Sequence, residues 1–158
     1  MPKVLIIGFG NPLRSDDGVG SRIACLLDEY YHDDPDVRVI GAHQLTPEMS
    51  EDIAGSEFVL FLDAAVGEHP GEVQRSRVLP RQEPLSFTHS LDSASLLSAA
   101  SELYGSAPPA ELLTIVGASF EMGEELSDVV RGMLAGLLEK TRSIVELHRH
   151  RLVAEAVR

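Results

Sequence analysis

The first sixty residues restrict the fold more than any other feature of this chain. Lys3-Val4-Leu5-Ile6-Ile7 is a short, branched, uninterrupted apolar run, the pattern of a parallel strand covered on both faces. A polar, glycine-bearing turn follows from Gly8 to Asp17. Val19, Ile23, Leu26, Leu27 and Tyr30 then recur at helical spacing until His32-Asp33-Asp34-Pro35 stops the helix. Val37 to Ile40 reads as a second strand, Pro47 to Ala54 as a short helix, and Phe58 to Leu62 as a third strand. Strand, helix, strand, helix, strand in that space predicts a parallel sheet with helices on its faces.

Beyond Asp63-Ala64 the pattern loosens but stays compatible. Gly67 to Gly71 reads as a turn, Val73 to Val78 alternates like an edge strand, and Pro80 to Pro84 reads as a loop. Leu91 to Leu103 predicts a helix, Pro108-Pro109 a loop, and Leu112 to Val116 a strand. A last helix is expected from about Ser127, a capping residue before an acidic first turn. It is expected to fray after about His148. No repeat, low-complexity tract or long linker divides the sequence, so the expectation is a single α/β sandwich domain spanning residues 1–158.

Charge and cysteine usage narrow the function classes. The net charge of −12 argues against nucleic acid, whose phosphates require clustered Lys and Arg, and against an anionic membrane surface. No apolar run approaches the roughly 18 residues of a membrane span. The apolar start is too short for a secretory signal, so a cytoplasmic protein is expected. The one cysteine, Cys25, allows neither an intramolecular disulfide nor a cysteine cage for a metal; its apolar neighbours predict burial.

The chemistry concentrates in Gly8-Phe9-Gly10-Asn11-Pro12-Leu13-Arg14-Ser15-Asp16-Asp17-Gly18-Val19-Gly20. Gly-x-Gly after a first strand suggests a dinucleotide site, but Leu13 stands at the third-glycine position and two carboxylates occupy the place of the phosphates. An acidic turn attracts a cation instead. One of the two acids can serve simply as a helix cap. Asp63 ends the third strand on the same sheet edge, and His89 precedes a helix in Phe87-Thr88-His89-Ser90-Leu91. Two carboxylates and an imidazole make an open set suited to nickel, zinc, iron or manganese, with room for groups from a second molecule. His43 follows the second strand and can line the same cleft. His32, His69, His148 and His150 are expected on solvated surfaces.

Together these residues resemble the nickel–iron hydrogenase maturation endopeptidases. The resemblance runs from Lys3 to about Val130; its most specific part is Gly8-x-Gly10-Asn11-x-Leu13-x-x-Asp16-Asp17-Gly18-x-Gly20. Asp63-Ala64, His89, Val116-Gly117 and Gly123-x-x-Leu126-Ser127 follow in the family's order. It implies a twisted, mostly parallel five-stranded sheet between helices, akin to phosphorylase/hydrolase-like folds. It also implies removal of the C-terminal extension of a hydrogenase large-subunit precursor after nickel insertion. The metal-binding positions fall on Asp17, which many members replace with glutamate, and on Asp63 and His89. No cofactor is implied, because the nickel arrives in the substrate, and a monomer is expected.

The attacking group stays open. The chain has no Gly-x-Ser-x-Gly elbow and no His-Glu-x-x-His motif, which leaves metal-directed hydrolysis by elimination. Two other readings stand beside this one: a nucleoside-binding, phosphorylase-like enzyme, and a nickel-handling assembly chaperone that cuts nothing.

Overall fold

A computed structural model of the chain describes residues 2–81 and 91–157. The strand β1 (Val4–Phe9) is buried over its first five residues and lies between β2 (Val37–Ala42) and β3 (Phe58–Ala65), parallel to both. β3 pairs in parallel with β5 (Ala110–Val116), and β4 (Val73–Val78) closes the far edge antiparallel to β5. The sheet order is β2-β1-β3-β5-β4. The central strands read as continuous apolar runs because both of their faces are covered. The consecutive exposed residues Gln74, Arg75, Ser76 and Arg77 of β4 mark a charged edge strand wet on both faces along its middle.

The two faces carry separate cores. On one, α1 (Val19–Tyr30) and α4 (Asp128–Val157) pack Ile23, Leu27, Val130, Leu137 and Ile144 against Val4, Ile6, Leu60 and Leu62. On the other, α2 (Met49–Ala54) and α3 (Ser93–Tyr104) pack Ile53, Leu96, Leu97 and Ala100 against Leu5, Ile7, Val59 and Phe61. This is the expected three-layer α/β sandwich. α3 starts at Ser93 with the Asp92 side chain accepting from the Ser95 amide. The expected loop from Pro80 to Pro84 runs into residues 82–90, outside the described residues, and His89 lies there too.

Three expectations need correction. β3 continues through Ala65, so Asp63 stands inside the strand, paired in register with Thr114, rather than after it. Cys25 is exposed: at 100° per residue the buried positions Ile23, Ala24 and Leu27 face the sheet while Cys25 and Leu26 turn outward. α4 stays helical through Val157, and His148 is no solvated side chain. His148 is 11% exposed, stacks on Phe58 with ring centroids 3.6 Å apart, and bonds Glu111 at 2.7 Å. Arg149 beside it pairs with Asp34, so the expected fraying point is an anchor. His32, His69 and His150 are exposed as expected.

Candidate functional site

The turn after β1 can exist only because two glycines let backbones touch. Gly10 has φ +142°, and a Cβ there would lie 1.8 Å from the Asp17 carbonyl oxygen. A Cβ on Gly20 would lie 2.4 Å from the Leu62 carbonyl oxygen and 2.5 Å from that of Phe9. The first turn of α1 therefore presses onto the ends of β1 and β3, beside Asp63. A 3-10 turn over Ser15–Gly18 links the loop to α1 and carries both acids.

Those neighbouring acids have different environments. Asp16 is 0% exposed. Its carboxylate accepts from the amides of Ala118 (2.8 Å), Ser119 (3.1 Å) and Ser127 (2.8 Å) and from the Ser127 hydroxyl (2.8 Å). Burial alone would raise its pKa, but bonds from Ser127, Ala118 and Ser119 outweigh that and hold it below the usual aspartate value. Ser127 in turn accepts from the Val130 amide as the cap of α4. Asp16 is thus a cap-like structural group, but its bonds go to the start of α4; α1 has Gly18 at its N-cap and no side-chain cap.

Asp17 is half-buried and, among the described residues, accepts one bond, from the Asn11 amide at 2.9 Å. Asp63 accepts from the Ala64 amide at 2.8 Å. Burial pushes the Asp63 carboxyl up to about 7; the Ala64 bond opposes the shift and the charge of Asp17 adds to it. Residues from separate strands and turns thus set two carboxylates within electrostatic reach at the carboxyl edge of the sheet, where open α/β folds hold their ligands. Two acids sharing a site, one partly protonated near neutrality, can accept a cation that relieves both their repulsion and their desolvation.

Among the described residues no three His, Cys, Asp or Glu side chains converge as a metal cluster. Of the expected trio, Asp17 lies in the turn after β1 and Asp63 near the end of β3, and His89 lies outside the described residues. His43 does line a cleft on the neighbouring side of the first turn, with Pro12, Ser21, Arg22, Cys25, Gly41 and Ala42, enclosing about 230 Å³. What sequence reasoning missed is the bonding of Asp16 and Ser127. The only available signal was a buried-looking acid with no partner near it in the chain.

No family model matches the sequence. The hydrogenase 2 maturation protease of Escherichia coli (strain K12) is 29% identical over 148 residues, which cover 87% of each chain. Among solved structures, the [NiFe] hydrogenase maturation protease HycI from Thermococcus kodakarensis KOD1 matches with a TM-score of 0.73 and 26% identity, covering 91% of this chain and 92% of that one. The hydrogenase 2 maturation peptidase from Thaumarchaeota archaeon SCGC_AB-539-E09 matches with a TM-score of 0.67 and 26% identity over 92% of this chain and 99% of its own. The glycine-spaced acidic turn, the sheet order and these relatives agree: over most of its length the chain is similar to the nickel–iron hydrogenase maturation proteases.

Proposed function

We propose that this protein is an endopeptidase that removes the C-terminal extension of a nickel–iron hydrogenase large-subunit precursor once nickel has been inserted. Nickel is part of the substrate, and the protein needs no permanently bound cofactor of its own. Asp17, Asp63 and His89 complete the coordination of that nickel and so dock the enzyme only on loaded precursor. The observation that carries this reading is the meeting of Asp17 and Asp63 at the carboxyl edge of the sheet, in the turn that bears the family's motif. A precursor without nickel offers the two carboxylates no shared cation, and their mutual repulsion and desolvation then go unrelieved.

The carboxylates bind and orient; the scissile carbonyl lies beside the metal they engage. A carbonyl polarised by that metal, or a water activated by it, supplies the hydrolytic step without a serine or cysteine nucleophile. Cys25 is exposed on the outer face of α1, which does not make it a nucleophile: among the described residues no base is bonded to it. The protein acts as a monomer in the cytoplasm, where the precursor is assembled. Among the described residues no helix is long and apolar enough to cross a membrane.

The test is to incubate the protein with nickel-loaded and nickel-free precursor and follow the mass of the large subunit. Loaded precursor is shortened and nickel-free precursor is not. Equal shortening of both removes the metal-sensing claim, and binding without shortening returns the assembly-chaperone reading. Asp17→Ala, Asp63→Ala and His89→Ala each abolish shortening while the folded protein is retained.

A further inference from the structure

The segment between β5 and α4, residues 117–127, has no regular secondary structure, yet it is tied down along its length. The Ser15 amide donates to the Gly123 carbonyl at 2.8 Å, and the Gly123 amide donates to the Leu13 carbonyl at 2.9 Å. The Asp16 amide donates to the Ser119 carbonyl at 3.0 Å, and the Ser15 hydroxyl to the Glu121 carbonyl at 2.7 Å. The Arg22 guanidinium reaches the Glu124 carbonyl, and the Asp16 carboxylate gathers Ala118, Ser119 and Ser127. A loop bonded this way has little conformational freedom left to lose.

Leu126 at the end of this loop joins the core, but around Gly123 the side chains that the bonds hold in place are exposed. Met122, between the bonded residues Glu121 and Gly123, is 81% exposed, and Leu13, whose carbonyl receives Gly123, is 47% exposed. The Arg14–Gly123 bridge runs parallel, so the backbone bonds hold the segments that carry these two exposed apolar residues alongside each other. Glu121, Glu124 and Glu125, all exposed, lie on the same short loop as Met122. Leu13 lies four residues before Asp17 in the turn after β1.

We propose that Leu13 and Met122, with the exposed glutamates of the same loop, form a preorganised docking platform for the folded body of the hydrogenase precursor. The matching surface is an apolar hollow flanked by Lys or Arg. This rests on the maturation-endopeptidase reading and deepens it. One metal fixes a single point of a protein substrate and leaves its rotation free; a second, rigid contact beside the rim fixes the orientation of the peptide to be cut. Methionine is enriched at interface cores, and a platform ordered in advance lowers the entropy lost on binding. The acidic loop on a chain of net charge −12 selects a basic surface and speeds encounter. It also disfavours a second copy of this chain, because a twofold contact here would set identical acidic rims against each other.

The experiment uses the nickel-loaded large-subunit precursor from the same genome, titrated against the full-length protein on a biosensor, with processing followed in parallel. Leu13→Ser/Met122→Ser weakens Kd for the precursor by tenfold or more and lowers kcat/KM to match, with an unchanged melting temperature. Met122→Lys alone, at an exposed position, does the same if the double variant folds poorly. Glu124→Lys/Glu125→Lys slows association at low salt, an effect that vanishes at high salt. Leu103→Ser, an exposed apolar change at the far end of α3, changes nothing. Wild-type binding and cutting by the Leu13 and Met122 variants overturn the platform while leaving the maturation reading intact. Loss of self-association alone overturns it in favour of a second copy. A wild type that never shortens the precursor overturns both.

Discussion

Asp16 and Asp17 are adjacent in sequence and opposite in consequence. The carboxylate of Asp16 is sealed from water and fully bonded by four donors, and its pKa is held low. Asp17 lies within electrostatic reach of Asp63, whose carboxyl is pushed up to about 7 by burial and, to a lesser degree, by the charge of Asp17. The first arrangement uses a buried charge to staple the start of α4 to the turn after β1. The second leaves two acids underbonded, an arrangement that costs stability and makes sense where a cation is to be received. A fully bonded buried carboxylate and a sparsely bonded pair put the same chemistry to different uses, and the second is the arrangement that the proposed function requires.

The largest effect that tests this contrast is Asp16→Ala. Three backbone amides and a hydroxyl lose their acceptor in a buried site, and the protein loses about 3–5 kcal/mol, read from the denaturant midpoint. Because the folded pKa of Asp16 lies below its unfolded value of 3.8, its contribution is complete above that value and disappears as pH falls through the folded one. Acid titration of wild type against Asp16→Ala therefore shows the two stabilities converging below about pH 4. A variant as stable as wild type at pH 7 would make the bonding of Asp16 decorative.

Asp63→Asn runs the other way. A folded pKa of about 7 against an unfolded 3.8 means the native state binds more protons between those values, so wild-type stability declines as pH rises through that window. The neutral amide escapes the penalty. Without nickel the variant matches wild type near pH 4 and is more stable by about 2–4 kcal/mol at pH 8, while processing is lost. Thermal melts across pH decide it: a destabilised Asp63→Asn at pH 8 would place Asp63 with the structural acids.

Ser127→Ala sharpens the first half of the comparison. It removes the hydroxyl that donates to Asp16 and accepts from the Val130 amide, a cap and one bond at once. The expected loss is about 1–2 kcal/mol, with processing by the folded fraction retained. Combined with Asp16→Ala, the cost should be well short of additive, since both changes break one network.

The layout of the sheet was legible in the sequence because β1, β3 and the helical faces each declare themselves within a dozen residues. Long-range bonding was not. The donors to Asp16 stand 102 to 111 residues away, and His148 meets Glu111 across 37. No local pattern can tell such a partner from solvent, which is why His148 read as a surface residue. Cys25 was misjudged for a different reason: an apolar neighbourhood in sequence is not one in space on a helix. At the rim, Asp17 and Asp63 were legible through motif spacing and sheet edge, whereas their inequality with Asp16 required the fold.

The smallest effect is the finest test of the rim. Asp17→Asn keeps an oxygen for the Asn11 amide and removes only charge, so stability should change by less than about 0.5 kcal/mol. What moves is Asp63. The charge of Asp17 is the lesser of the two influences raising it, so its pKa drops below about 7 yet stays above that of an ordinary aspartate. Carbon-detected NMR of the Asp63 carboxyl across pH reads this directly. A titration unmoved by Asp17→Asn would mean that the two acids do not share a site, and the proposed metal contact would lose its basis.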